Sequence, residues 1–250
     1  MVTEETEAEI TRNYPCRECG KGEIPVTGEP ALFEGRFGDT YAKLAAVCDD
    51  CAAAEAKAEA EAAQRAAWNE FILRRGDSNL PRNTWEKGFD TLQVDEYNHE
   101  GIEQAKRWGA GEVKALVLAG PVGTGKTATA IAATLAFLWR RRVRFATFSS
   151  LSMAARAGFK SERRAETFAL LLDPTMPLVL DDIDKTQPTD YTIDLLFQVI
   201  DERYSHDTPL LVTTNLNYEE LKSDYGEPIA SRIAGYCLPV RMEGPDRRQR

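Results

Sequence analysis

Two sets of residues in this 250-residue chain have the types and spacing that chemistry requires. The first is Gly120-x-x-x-x-Gly125-Lys126-Thr127, within KALVLAGPVGTGKT. A glycine-rich turn between an apolar run and a helix can wrap a phosphate with its backbone N–H groups pointing inward, because glycine tolerates the backbone angles the wrap needs. On this pattern Gly120, Pro121, Val122, Gly123, Thr124 and Gly125 form the cradle. Lys126 sets a compact cation on the β- and γ-phosphates of ATP, and Thr127 offers a hydroxyl to Mg²⁺. Ala128 continues a helix whose N-terminal dipole faces the same anion. The second set is Cys16-x-x-Cys19 and Cys48-x-x-Cys51, with 28 residues between the pairs. A two-residue gap lets two thiolates from one tight turn bind a single ion, and two such turns complete a tetrahedron around Zn²⁺. Gly20 and Gly22 suit the first turn.

A nucleotide site needs more than a cradle, and further parts follow in order. PLVLDDIDK (177–185) reads as a buried strand ending in carboxylates. Asp181 at its tip can hold the Mg²⁺ water shell, and Asp182 can orient or deprotonate the attacking water. Without the upstream cradle the same acids would read as a helix start. PLLVTTN (209–215) is another strand, and Asn215 at its end offers a neutral donor to the γ-phosphate or to the nucleophilic water.

These residues must be positioned by a common scaffold. Leu116 to Ala119 forms a short apolar strand ahead of the cradle, and the helix ATATAIAATLAFLW behind it is apolar nearly all round, as for a helix packed on a sheet. VRFATFSS (143–150) adds a strand, and helical stretches are predicted around 150–172 and 190–204, the latter with Leu195, Leu196, Val199 and Ile200 on one face. Alternating strand and helix argue for an α/β fold: a parallel sheet with helices on both faces and ligand at the carboxyl ends of the strands, where Lys126, Asp181 and Asn215 all fall. The expected organisation is a zinc-binding module at 1–51, a helical linker at 52–78 built from AAAEAKAEAEAAQRAAW, and an ATPase core at 79–250. The break at Gly76-Asp77-Ser78-Asn79 and Pro81 marks the boundary.

Composition narrows the setting. No run approaches the roughly 20 apolar residues of a membrane span. The acidic start MVTEETEAEI lacks the hydrophobic stretch of a secretory signal, so a cytoplasmic, reducing setting is expected and zinc is favoured over disulfides. Residues 1–70 carry 15 acidic and 7 basic side chains, and the remainder 25 and 24, so the acidity belongs to the N-terminal piece, which suits a protein partner better than a phosphate backbone. Arg140, Arg141, Arg142 and Arg144 form a basic cluster that reads most simply as a solvated turn.

The ordered set GPVGTGKT, LVLDD, TTN and IASRI resembles the AAA+ ATPases. Over Asn79 to Arg248, and most specifically in TTNLNYEELKSDYGEPIASRI, it resembles the replicative helicase loaders of the DnaC/DnaI type within the IstB-like ATP-binding family. The resemblance implies a P-loop core without a C-terminal lid domain, preceded by a zinc module. It implies an ATP-dependent loader that grips a hexameric replicative helicase through residues 1–70 and places it on single-stranded DNA. It also implies that Arg232, between Ile229 and Ile233, is an arginine finger reaching a neighbouring subunit's ATP, giving an open ring or spiral. Read from the residues alone, Arg232 faces solvent or pairs locally. Asp182 stands where the family generally has glutamate, which implies slow turnover. Arg247 and Arg248 stand where a sensor 2 arginine could act, or form a basic tail, the simpler reading. Two other readings remain: a transposition helper ATPase of the IstB type, and a nucleotide-switched adaptor that does not hydrolyse.

Overall fold

The computed structural model describes residues 9–28, 46–158 and 173–248. The chain divides into two compact units, Met1–Trp68 and Asn69–Arg250.

In the first unit, β1 (Ile10–Tyr14) and β2 (Ile24–Gly28) form an antiparallel hairpin with Tyr14 opposite Ile24. Its described core is Tyr14, Val26 and Ala46. Helix α1 (Asp49–Asp77) begins with two acids in its first turn, favourable at the positive end of the helix dipole. Its alanine-rich stretch 52–70 is exposed on every side. High intrinsic helix propensity sustains such a solvated stretch. The helix stops where Asn79 takes a left-handed backbone at φ 67° and Pro81 follows.

The division between the units falls inside α1, and its last turns belong to the second unit for a clear reason. Phe71 is buried and stacks on Trp139 with ring centres 4.3 Å apart. Arg74 donates to the carbonyls of Leu138 and Trp139, at 3.1 and 3.0 Å.

The second unit is built on a five-stranded parallel sheet in the order β4-β5-β6-β3-β7. The strands are β3 (Ala115–Ala119), β4 (Arg144–Thr147), β5 (Leu178–Asp181), β6 (Leu210–Thr214) and β7 (Leu238–Arg241). The helices are α2 (His99–Gly109), α3 (Lys126–Leu138), α4 (Phe148–Gly158), α5 (Asp190–Ser205), α6 (Tyr218–Tyr225) and α7 (Glu227–Tyr236). Successive side chains of a strand point to opposite faces. Accordingly Leu116, Leu118, Val179 and Leu211 pack with residues of α2 and α3. Val117, Leu178, Leu180, Leu210 and Val212 pack with residues of α5, α6 and α7. Both faces are covered, which is why the central strands read as continuous apolar runs. Among the described residues, no helix is long and apolar enough to cross a membrane.

The predicted elements appear with two adjustments. The strand expected at 143–150 ends at Thr147, because the Thr147 hydroxyl accepts the Ser150 N–H at 3.1 Å and opens α4 at Phe148. The helix predicted to 172 is seen to Gly158, and its continuation lies outside the described residues. The strand β7 carries Pro239, a residue confined to sheet edges because it cannot donate to a ladder, and β7 is indeed an edge.

Candidate functional site

The strand order makes the site. With β6 inserted between β3 and β5, the carboxyl ends of all three lie side by side. The register sets Ala119 against Thr214 and Leu180 against Val212, so the residues just beyond meet: Gly120 with Asn215, and Asp181 with Thr213. The Gly120 N–H donates to the Thr214 carbonyl at 3.2 Å, and the Thr213 hydroxyl donates to Asp181 at 2.6 Å. Gly123 and Gly125 adopt φ of 86° and 98°, in the left-handed region that glycine reaches without strain.

A cavity of about 510 Å³ opens over the loop. Among its walls are Gly123, Gly125, Lys126, Thr127, Ala128, Asp182 and Asn215. Its far wall comes from the segment before α2, through Leu92, Gln93 and Asn98. Gly120 and Pro121 lie just behind, lining a second cavity of about 440 Å³ with Val240 and Arg241. Thr124 is buried and donates back to the Pro121 carbonyl at 3.0 Å, while Val122 is half exposed at the rim.

Lys126 is 5% exposed. Its ammonium donates to the carbonyls of Gly120 and Pro121 at 2.6 and 2.7 Å and to Asn215 Oδ1 at 2.9 Å. Burial lowers its pKa, opposed by the charges of Asp184, then Asp182 and Asp181. A cation so placed, with only neutral acceptors touching it, is a receptor for anionic oxygen.

Asp181 is 2% exposed. Burial pushes its carboxyl up to about 6, with the Asp182 charge adding, while hydrogen bonds from Thr213 and Thr127 pull the other way. The two predicted Mg²⁺ ligands, Thr127 and Asp181, are thus brought together. Asp182 takes a left-handed backbone at φ 55° and ion-pairs Lys185, both facing the cavity.

Asn215 is not the free donor that the sequence suggests. Its amide N–H₂ is engaged by Asp184, and its oxygen faces Lys126. Asp184 also accepts from the Thr214 hydroxyl at 2.9 Å and the Asn215 N–H at 2.8 Å. Sequence reasoning missed Asp184 as a positioning residue. Its signal was present in DDID, where a short 3-10 turn (Ile183–Lys185) brings the third acid back under the strand ends.

The tail also differs from expectation. After β7 the chain turns back over the loop: the Met242 N–H donates to Ala119 O at 2.7 Å and the Arg247 N–H to Gly123 O at 3.1 Å. A Cβ on Gly120 would overlap the Met242 carbonyl, and one on Gly123 would overlap Asp246. Arg247 is no loose basic tail. It lines the cavity, donates to Asp95 at 2.6 Å, and holds that carboxyl below its ordinary pKa.

Arg232 stands apart. It is on α7, ion-paired with Asp201 and lying 4.5 Å over the Phe197 ring, and is not among the described residues lining the cavity.

In the first unit, the sulfurs of Cys16, Cys19, Cys48 and Cys51 lie within 4.8 Å of one another. The Cys19 and Cys48 sulfurs are 3.8 Å apart, far beyond a disulfide bond and equal to the roughly 3.8 Å edge of a tetrahedron with metal–sulfur bonds of about 2.3 Å. The turn closes through Gly20 N–H to Cys16 O at 2.8 Å, with φ of 69° at Gly20 and 77° at Gly22. The Cys48 N–H donates to the Cys16 sulfur and, with the Cys19 N–H, lowers that thiol to about 6, poising a thiolate at neutral pH. The donor set and spacing fit a closed four-sulfur metal site.

A parallel sheet with a glycine cradle at its carboxyl edge, a buried lysine opening the next helix and an acid at the tip of a neighbouring strand define a P-loop ATPase with the AAA+ fold. The chain belongs to the IstB-like ATP-binding protein family, whose model matches residues 109–238, more than half its length. No curated protein matches the chain. Among solved structures, the DnaC helicase loader superposes with a TM-score of 0.56 at 21% identity, over 65% of this chain and 100% of that one. The DnaI crystal structure gives 0.55 at 22% identity, over 68% and 95%. AMPPCP-bound DnaA from Aquifex aeolicus gives 0.56 at 20% identity, over 65% of this chain and 52% of that one. At these identities the likeness establishes the fold.

Two predictions follow from this geometry. Asp184→Ala frees the Asn215 amide to rotate, so ATP turnover should fall about tenfold or more while ATP affinity changes less; unchanged phosphate release would remove Asp184 from its positioning role. Because the folded state holds the Asp181 proton more tightly than the unfolded chain, the stability linked to it is present below pH 3.8 and lost as pH rises through about 6. Asp181→Asn should therefore stabilise the nucleotide-free protein at pH 8, by up to about 3 kcal/mol, and have little effect at pH 3.5. Thermal melts at both values check this, and an equal or lower melting temperature at pH 8 would contradict it.

Proposed function

We propose that this chain is an ATP-controlled loader that delivers a hexameric replicative helicase to single-stranded DNA. The observation that carries the reading is the coincidence of the cradle, with Lys126, Asn215 and Asp184 in register, and a four-cysteine unit ahead of it, in a fold shared with the whole length of the DnaC loader structure. In this reading 1–51 is a zinc module that contacts the helicase, 52–78 a helical linker and 79–250 the ATPase core, acting in the cytoplasm.

The residues take the following parts. Lys126 leaves its carbonyl acceptors for the β- and γ-phosphate oxygens of ATP, with the N–H groups of 122–128 around them. Thr127 and Asp181 hold Mg²⁺, which when bound neutralises the same oxygens. Asp182 accepts the proton of the water whose oxygen bonds to the γ-phosphorus as the bond to the β-bridging oxygen breaks and ADP departs with that electron pair. Its short side chain and its ion pair with Lys185 both weaken it as a base, so basal turnover is expected to be slow, below about 1 s⁻¹. Zn²⁺, when bound, would tie Cys16, Cys19, Cys48 and Cys51 together and add its binding energy to the folding of this unit.

Arg232 acts as an arginine finger on a neighbouring subunit, giving an open ring or spiral. Its position away from its own cavity supports a role in trans, and its ion pair with Asp201 is the contact it would exchange. ATP thereby favours the assembled state, a linkage between nucleotide, neighbours and strand. The family's own name favours a second reading, a transposition helper of the IstB type acting with a transposase on duplex DNA.

The deciding experiment mixes the protein with its cell's replicative helicase and circular single-stranded DNA. Helicase transfer to the circle should require ATP and the intact cysteine set, and Arg232→Ala should cut ATP turnover at least about tenfold at assembling concentrations while leaving ATP affinity near wild type. Transfer that ignores both ATP and the cysteines contradicts the loader reading.

A further inference from the structure

Helix α6 is only eight residues long, yet both of its ends are tied to the nucleotide site. It begins three residues after Asn215, and a capping box of Asn217 and Glu220, with bonds of 2.8 and 3.0 Å, fixes where it starts. Its last residue is Tyr225, and Gly226, at φ 90°, ends it.

Tyr225 is 1% exposed, and its hydroxyl lies 2.8 Å from the Ile183 carbonyl and 2.9 Å from that of Thr186. A hydroxyl has one proton, which is shared between these two acceptors. The two carbonyls bracket Asp184 and Lys185 in the 3-10 turn Ile183–Lys185. The turn's internal bond, from the Lys185 N–H to the Asp182 carbonyl at 3.2 Å, sits at the long end of the ordinary range, so support from outside matters. Burial pushes the Tyr225 phenol up to about 12, with the charges of Asp184 and then Asp224 adding, so it remains a donor throughout the neutral range.

These contacts close into a ring. Asn215 leads through α6 to Tyr225, Tyr225 holds the turn, and the turn presents Asp184. Asp184 then grips both the backbone N–H and the side-chain amide of Asn215. The turn is entered from Asp182, whose N–H donates to the Thr213 hydroxyl at 2.8 Å.

We propose that Tyr225 is a positioning residue for ATP hydrolysis: by pinning the turn at both ends it fixes the Asp184 carboxylate and, through it, the Asn215 amide. The ring of Tyr225 packs in the core, and a phenylalanine would pack there equally well. What the hydroxyl adds is aimed at two carbonyls of one turn, 42 and 39 residues away in sequence. A polar group preset where charge develops in the transition state speeds the chemical step without tightening ground-state binding, so its loss falls on turnover. The role rests on the hydrolysis proposed for this site, and on neither the helicase nor DNA.

The test is steady-state phosphate release by the full chain, read well below the melting temperature of each variant. Tyr225→Phe should lower kcat about threefold to tenfold and leave KM within about twofold of wild type. A double-mutant cycle with Asp184→Ala separates positioning from packing. A tyrosine acting through Asp184 predicts that the double variant turns over within about twofold of Asp184→Ala alone, whereas independent losses would multiply. Hydrogen exchange gives a second measurement: peptides covering 181–187 and 213–217 should exchange faster in Tyr225→Phe, while those of β3 keep the wild-type rate. ATP binding by calorimetry certifies the fold of each variant. Wild-type kcat in Tyr225→Phe, a raised KM with kcat unchanged, losses that multiply in the double variant, or faster exchange across the whole sheet would each overturn the proposal. Failed helicase transfer with this kinetic pattern intact would refute the loader reading and leave the role of Tyr225 standing; intact transfer with wild-type kcat in Tyr225→Phe would do the reverse.

Discussion

The structure turns on one buried cation. Lys126 is almost fully withdrawn from water, and among the described residues its direct partners are two backbone carbonyls and an amide oxygen. A charge in that position is costly unless it is compensated, and here three aspartates compensate it from a short distance without touching it. The ammonium is thereby kept available for an anionic oxygen that arrives later. Everything nearby is arranged around this condition: Asp184 fixes the Asn215 amide so that its oxygen, not its N–H₂, faces the lysine, and Thr213 and Thr127 hold Asp181 in a site that disfavours its ionisation.

The same condition accounts for the packing of the chain's end. The phosphate loop must stay open on the nucleotide side and yet be held, so it is braced from behind. The strand β7 and the residues after it provide the brace, pressing the Met242 carbonyl and Asp246 against Gly120 and Gly123 with no room for a side chain. Arg247 closes the arrangement by tying the tail to Asp95, in the segment whose Leu92, Gln93 and Asn98 line the cavity. The glycines are therefore required twice, once for phosphate approach and once for the brace, and the sequence displays only the first requirement.

Legibility followed locality. The cradle, the zinc-spaced cysteines and the central strands could be read directly because each is defined by residues within a few positions, or by an apolar run that burial on both faces enforces. The pairing of Asp184 with Asn215 could not be read, since it depends on β6 lying between β3 and β5, a strand order that the chain does not spell out. The edge strand β7 escaped notice because LPVR is short, exposed at three of its four residues and carries proline. The strand through Thr147 ended early because a single hydroxyl began a helix. For Arg232 the residues alone offered solvent or a local pair, and a local pair with Asp201 is what one chain shows; its proposed role belongs to a second copy. The four sulfurs converge as their spacing implies.

The account stands or falls on the lysine. Isothermal calorimetry of Mg-ATP into the wild-type chain and into Lys126→Ala tests it most directly. Micromolar binding by the wild type, weakened at least about a hundredfold by the substitution, is the predicted result, the loss expected when a buried charge-assisted contact to phosphate is removed. Equal heats for the two proteins, or none for the wild type, would contradict it.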